Sequence, residues 1–342
     1  RNPNIKIIRT MDAMSKSSES SGQPSFWSLP NDVALNILAR IPRIYHPFLS
    51  RVCKSFRSLL SSPEFGATRA LIGKSEDCIY LCLQHPCENP KPRWYTLAPT
   101  APTQKLIPMP IPSFPDDHPQ QPALVSIASE IYVIGGFVKG HRSSKVFILD
   151  CRRHQWRTLP NMRIPRGNPT AGLIDGKIHV FGGCSKSCNS CVEIYDPETQ
   201  SWEPSDLRSV ATTTDSETLG KVLFQMRVDS GEPGVRRRMR LHWCDLEEPE
   251  LKWNEVKGFE GPGFISIPNL AGGGRRFKVW WVSFERIQDS LVRNFEIWCG
   301  EVSFERRQEL YGTVECSKLL YTLDRFESGG LVSLLCFATV TL

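Results

Sequence analysis

Three cysteines, Cys184, Cys188 and Cys191, stand at CxxxCxxC spacing in this 342-residue chain. Thiolates so spaced can hold an iron–sulfur cluster, as in radical enzymes that cleave S-adenosylmethionine, or contribute to a zinc site. Those radical enzymes use an α/β barrel, and no stretch here alternates strand and helix patterns. The three thiols fall between FGG and VEIYD, two strand-like runs of a repeated unit, and read as adventitious loop thiols. The basic run Arg236–Arg240 has the composition of a nuclear address or a nucleic-acid contact. It follows the turn-rich SGEPG and leads into RLHWCD, which makes it a solvated loop. The seven His are scattered without an HExxH or a close His/Asp/Ser grouping, and His179 in KIHVFGG reads as an interior strand histidine. The glycines of GPGF and AGGGRR lack a GKS or GKT ending and a following helical pattern, so they read as turns. These patterns call for no catalytic residue, no metal and no cofactor.

The elements that would carry any site come from composition and period. Forty-two Lys and Arg against 36 Asp and Glu give a net charge of +6, and apolar residues make up 40%. Those proportions suit a globular protein of about two domains and exclude a mostly disordered chain. The charge is spread along the sequence, permitting an anionic partner without requiring one. No apolar run approaches the ~18 residues that span a bilayer. The first stretch lacks the apolar core of a secretory signal, so the 12 Cys are expected to stay reduced in a soluble protein of the cytoplasm or nucleus. Position 1 is not Met, and Met11 is a candidate start. Residues 1–24 are Ser-rich and polar and read as a disordered leader.

From residue 25 to 68 the spacing is helical. Asn31 or Asp32, after Pro30, is placed to cap a helix whose apolar positions are Val33, Ile37, Leu38 and Ile41, and Pro42 stops it. A second amphipathic run carries Leu49, Val52, Cys53, Phe56, Leu59 and Leu60 and ends at Pro63. Some 40 residues in two or three short helices are too few to bury this apolar set on both faces, so a partner is implied. Arg40, Arg43, Arg51, Lys54 and Arg57 outnumber Asp32 and Glu64, which suits an acidic partner.

After Cys78 the period becomes alternating, and residues 78–342 read as short strands bounded by Gly, Pro and Asn. A proline-rich connector lies between Pro99 and Pro122. An internal repeat is the clearest signal. EIYVIGG and KVFILDCRRHQW match KIHVFGG and CVEIYDPETQSW, placing Gly135-Gly136 against Gly182-Gly183, Asp150 against Asp196 and Trp156 against Trp202. The repeats span about 127–173 and 174–220. A period of 40–50 residues with four short strands per unit is that of a propeller blade. The Gly pair suits a tight turn or close backbone approach, and the aromatic packs against the next sheet. A weaker copy places Trp253 after RLHWCD with no Gly pair before it. FKVWWVSFERI, FEIWCGEVSFERR and LYGTVECSKLL supply further strands, and Trp280, Trp281 and Trp298 among them read as blade packing. At about 46 residues per blade the span allows five to six blades. Six is the expectation, with one blade built from both ends of the span.

Leu29-Pro30, Ile37-Leu38, Ile41-Pro42, the run Val52–Leu59 and Ser62-Pro63-Glu64-Phe65 resemble the F-box. The two Gly-Gly, Asp and Trp units resemble kelch repeats. In this order the chain resembles the large F-box/kelch-repeat family of plants. The fold so implied is a small all-α F-box followed by an all-β kelch propeller. The implied role is that of a non-catalytic substrate receptor of SCF-type cullin–RING ubiquitin ligases. Its F-box docks on a Skp-type adaptor, and through it on cullin and RING subunits, while the propeller captures a target protein. On that resemblance Leu29, Pro30, Ile37, Leu38, Ile41, Pro42, Leu49, Val52 and Phe56 line the adaptor interface or support it. Phe56 stands where many F-boxes carry Trp, which keeps the apolar plug and loses the indole N–H. Neither a membrane nor a nucleic acid is an expected partner. Two alternatives remain open at this point. One is a kelch-propeller enzyme or specifier protein of plant metabolism, and the other is a kelch scaffold with a vestigial F-box.

Overall fold

The computed structural model describes residues 26, 29–85, 89–97, 106–109, 114–184, 192–205, 222–228, 239–245, 248, 252–259, 263–266, 276–287, 291–324 and 333–342. The chain divides into two compact units, Arg1–Lys74 and Ser75–Leu342. Among the described residues no helix is long and apolar enough to cross a membrane.

The first unit is helical: α1 (Asn31–Ala39), a 3-10 turn (Arg43–Tyr45), α2 (His46–Val52), α3 (Lys54–Leu60) and α4 (Pro63–Leu71). Three local expectations change. The N-cap of α1 is Pro30 and no side chain caps it, so Asn31 and Asp32 lie inside the helix, with Asp32 in the first turn, where the helix dipole favours a carboxylate. The amphipathic run through Val52 and Phe56 is two helices, because Cys53 is fully extended (φ −160°, ψ 168°) and its Sγ accepts a bond from the Phe56 N–H at 3.3 Å. Pro63 begins a helix instead of ending one. Its missing N–H costs nothing at the first turn, and the Ser62 hydroxyl accepts from the Phe65 N–H. The core holds Leu38, Ala39, Phe56 and Phe65, flanked by Phe26, Leu35, Ile41 and Leu49. Arg69, buried, donates from one guanidinium nitrogen to the carbonyls of Ala39 and Ile41, both at 2.9 Å. It thereby satisfies acceptors that the end of α1 leaves without helical partners.

The second unit is built from antiparallel sheets. The first holds β1 (Asp77–His85), β2 (Asn89–Leu97) and β3 (Ile107–Pro108). The second holds β4 (Ala123–Ile127), β5 (Glu130–Ile134), β8 (Val146–Asp150) and β9 (Gln155–Leu159), with a hairpin of β6 (Phe137–Val138) and β7 (His141–Arg142) between its middle strands. The third holds β10 (Thr170–Ile174), β11 (Lys177–Phe181), β12 (Val192–Asp196) and β13 (Ser201–Ser205). The fourth has three strands, β14 (Val222–Val228), β15 (Met239–Asp245) and β16 (Asn254–Glu255). The fifth holds β17 (Gly263–Ser266), β18 (Arg276–Ile287), β19 (Leu291–Arg306) and β20 (Leu310–Asp324).

The last strand, β21 (Ser333–Thr341), returns to the first sheet and pairs with β1, Cys78 opposite Val340 and Cys82 opposite Cys336. It fills the lead position that β4, β10 and β17 fill in their own sheets, and it touches β4 and β17. One blade is therefore made from both ends of the span. Apolar clusters join the first sheet to the second, the second to the third, the first to the fifth and the fourth to the fifth. This is the face-to-face stacking of a propeller, in which each sheet buries its flank on its neighbour. Among the described residues are four four-stranded sheets and one of three strands, five in all, within the five to six that the period allows and one fewer than the six favoured there. The fifth sheet takes more chain than a 46-residue period provides, its strands β18, β19 and β20 running to 12, 16 and 15 residues.

Candidate functional site

The helical unit has two apolar populations. Leu38 and Phe56 point into the core, with Phe56 edge-on to Phe26 at 4.9 Å. Leu29, Ile41 and Leu49 are half-buried, while Pro30 and Pro42 are exposed. Ile37 is 41% exposed and Val52 48%. Three further large side chains lie open on the same stretch: Val33, Tyr45 and Phe48, the last at 64%. Single exposed apolar residues are ordinary on a protein surface, and here five fall within the twenty residues from Val33 to Val52. Phe48, four residues before Val52, shares its helix face, and that i, i+4 spacing is the signal in the sequence that could have found it. Basic groups border this stretch: Arg40 is exposed and bonds Asn36, Arg57 bonds the Ser50 carbonyl, and Arg51 and Lys54 are exposed.

In the β unit the repeat residues are structural joints. Gly135 (φ +61°) and Gly136 (φ +95°) follow β5, and the Gly136 N–H donates to the Arg166 carbonyl at 2.9 Å. A Cβ on Gly135 would sit 2.9 Å from that same carbonyl oxygen. Gly182 and Gly183 take positive φ at the matching place after β11. Asp150 accepts from the Arg152 and Arg153 N–H groups and Asp196 from Glu198 and Thr199, so each aspartate ties the turn between the last two strands of its blade. Lys177 also bonds Asp196 at 2.8 Å, and that bond, joined by the backbone donors, holds the Asp196 carboxyl below its ordinary range. Trp156 packs on Trp94 of the neighbouring sheet at 5.5 Å. Trp202 donates its indole N–H to the Pro160 carbonyl at 2.8 Å, linking third sheet to second. Trp253 is half-buried between β15 and β16. Trp280 and Trp281 are buried, and Trp281 stacks with Trp298 at an interplanar angle of 3°.

A buried ion pair that no motif announced lies between the second and third sheets. Arg166 bonds Glu193 Oε1 at 3.0 Å and the Gly182 carbonyl at 2.6 Å. Glu193 also accepts from the Arg163 and Ile164 N–H groups. Burial of a charge pair is tolerated only where the remaining lone pairs and protons are satisfied, and here the carboxylate takes four donors from one loop.

Of the CxxxCxxC thiols, Cys184 is half-buried, and Cys188 and Cys191 lie outside the described residues. From the basic run, Arg240 lies on β15 and pairs with Glu255, while positions 236–238 lie outside the described residues. His179 is buried on β11 beside Phe181. A different thiol pair, Cys82 and Cys336, meets His118, and the three ligand atoms lie within 4.8 Å of one another. Burial pushes the Cys82 thiol up. At Cys336 burial is outweighed by the contacts with Cys82 and His118, which bring that thiol down.

Comparison with known proteins adds the family context. A family model described as an F-box domain matches residues 26–68, and one described as FKB95, Kelch-repeats domain, matches residues 87–229. An F-box/kelch-repeat protein of Arabidopsis thaliana is 40% identical over 339 residues, covering 92% of this chain and 89% of its own. A second from the same plant is 38% identical over 361 residues, covering 93% and 95%. A third is 40% identical over 341 residues, covering 92% and 95%. A solved structure titled "Structure of YjhT" aligns with 71% of this chain and 90% of that one at a TM-score of 0.37 and 15% identity, a likeness too low to carry weight.

Proposed function

The chain belongs to the F-box/kelch-repeat family, and from that premise we propose that it is the substrate-recognition subunit of an SCF-type cullin–RING ubiquitin ligase. The helical unit docks on a Skp-type adaptor, which connects it to cullin and RING subunits, and the kelch propeller binds the protein to be ubiquitinated. The observation that carries this reading is the exposed apolar set of Val33, Ile37, Tyr45, Phe48 and Val52 on the segment matched as an F-box. The core beneath is already complete in Leu38, Phe56 and Phe65, so these five serve contact with another surface and not the folding of the unit. The basic border favours an acidic adaptor, whose charge would speed encounter more than it would tighten the final complex.

On this reading the chain makes and breaks no bond. It raises the effective concentration of a target lysine near the ubiquitin-charged conjugating enzyme, which is the general advantage of tethering two binding events. The place of action is the cytoplasm or nucleus. The test is reconstitution. The intact chain, purified with a Skp-type adaptor, cullin and RING subunit, is expected to co-elute as one complex and to support ubiquitin transfer to a captured target. A folded chain that stays apart from the adaptor–cullin assembly overturns the reading.

A further inference from the structure

Three metal-ligating side chains from distant positions converge where the last strand pairs with the first. Cys82 on β1 and Cys336 on β21 face each other in the antiparallel register, and His118 comes from the segment ahead of β4. All three ligand atoms lie within 4.8 Å of one another, with Cys82 Sγ 3.3 Å from His118 Nε2. A tetrahedral zinc ion with ordinary bond lengths spaces sulfur and nitrogen about 3.6 Å apart and two sulfurs about 3.8 Å apart. The Cys82–His118 pair stands close to that spacing, and no donor pair is more than about an ångström beyond it.

The histidine is also held in the form that ligates. Its Nδ1 lies 2.9 Å from the Pro119 carbonyl oxygen. A carbonyl can only accept, so Nδ1 carries the proton and the Nε2 lone pair faces the thiols. A backbone carbonyl on the far nitrogen is the usual outer partner of a metal-bound histidine. Phe114 at 4.7 Å and Trp94 at 6.0 Å flank the ring, and Cys82 and Cys336 are 0% and 9% exposed. Two thiolates and a dication sum to zero charge, which suits so enclosed a place. The donor set of two sulfurs and one imidazole nitrogen selects zinc over the oxygen-seeking magnesium and calcium.

We propose that Cys82, His118 and Cys336 form a zinc site that clasps the C-terminal strand to the first strand and to the segment entering the second sheet. The ion displaces the two thiol protons to solvent and takes a water, or a group not supplied by these three residues, as its fourth ligand. Because the three donors meet only once β21 has paired with β1 and the segment of His118 lies against them, zinc binds the folded state alone and stabilises that pairing.

The test uses the full chain under reducing conditions, with Co2+ as the probe and Zn2+ as competitor. The expected result is a sulfur-to-cobalt band in the near ultraviolet and tetrahedral ligand-field bands in the visible. They should saturate at one equivalent and be bleached by Zn2+. Cys336→Ser and His118→Gln should each weaken zinc retention against a chelator at least tenfold, whereas Cys184→Ser should leave it unchanged. Zn2+ should raise the melting temperature of the wild-type chain and not that of Cys336→Ser. The cobalt spectrum of the wild type needs no variant to fold. A fully reduced wild-type chain without the sulfur-to-cobalt band overturns the proposal, as does a band that survives Cys336→Ser but is lost in Cys184→Ser. A purified chain two hydrogens lighter, with Cys82 and Cys336 shielded from alkylation until reduced, reveals a disulfide in place of the ion and overturns it equally.

Discussion

Replacing Phe48 by Ala separates docking from folding. Phe48 sits on α2 with 64% of its surface open, so its truncation removes little of the unit's own core. Full burial of such a side chain is worth about 1.5–3 kcal/mol, and the exposed fraction therefore offers about 1–2 kcal/mol to a partner that covers it. That corresponds to a loss of about 5- to 30-fold in adaptor affinity. Phe56 is the control, being 6% exposed and set against Phe26. Phe56→Ala should cost about 3–5 kcal/mol of folding free energy, more than a unit this small can lose. The assay is calorimetric titration of the intact chain with a Skp-type adaptor, beside circular dichroism of the helical signal. Phe48→Ala is predicted to keep the helical signal and weaken binding, and Phe56→Ala to lose both. If Phe48→Ala, Ile37→Ala and Val52→Ala each bind within about twofold of the parent, the exposed apolar set is not the docking face and the reasoning fails.

Other consequences concern the β unit. Glu193→Ala strips Arg166 of its carboxylate partner and leaves the Arg163 and Ile164 N–H groups without their acceptor. It should destabilise the propeller by about 3–5 kcal/mol in a denaturant melt, and a change within the noise would mean that water replaces the carboxylate there. Gly135→Ala meets both a positive φ and the Arg166 carbonyl oxygen, whereas Gly182→Ala meets a positive φ with nothing within 4 Å. The first should therefore cost clearly more than the ~1–2 kcal/mol of conformational strain expected for the second. Equal costs would show that the close approach relaxes freely. For pH, the lowered Asp196 carboxyl contributes stability above the ordinary carboxylate value and loses it as pH falls through the lower folded value. Lys177→Ala should move the Asp196 midpoint upward in an NMR titration, while the backbone donors keep it partly depressed. An unmoved midpoint would assign the whole effect to those donors.

Some of this architecture was legible because it rests on local chemistry. The Gly pairs, the aspartates and the tryptophans repeat at fixed spacing because each blade needs the same turn, the same tie and the same inter-sheet contact. Gly136, Asp150 and Trp202 do what their types suggest. The helical unit was legible as amphipathic but not in its joints. Extended Cys53 looks from sequence like a continuation, since its thiol is not a usual capping group, and Pro63 looks like a stop although Ser62 before it is a strong N-cap and Pro suits the first turn. The period bounded the number of sheets without fixing it, because strand length is set by packing between sheets and the long strands β18–β20 carry no repeat mark. The Arg166–Glu193 pair and the Cys82, His118 and Cys336 cluster were invisible. Each depends on long-range closure that spacing along the chain does not record.

The central claim is that the helical unit is a working adaptor-docking module. Titration of the intact chain with a purified Skp-type adaptor, in parallel with a Leu29→Ala/Pro30→Ala double variant, tests it most directly. The account predicts single-site binding below micromolar for the parent and a loss of tenfold or more, about 1.4 kcal/mol, in the double variant. A folded parent chain that gives no binding heat contradicts it and leaves the propeller without a ligase to serve.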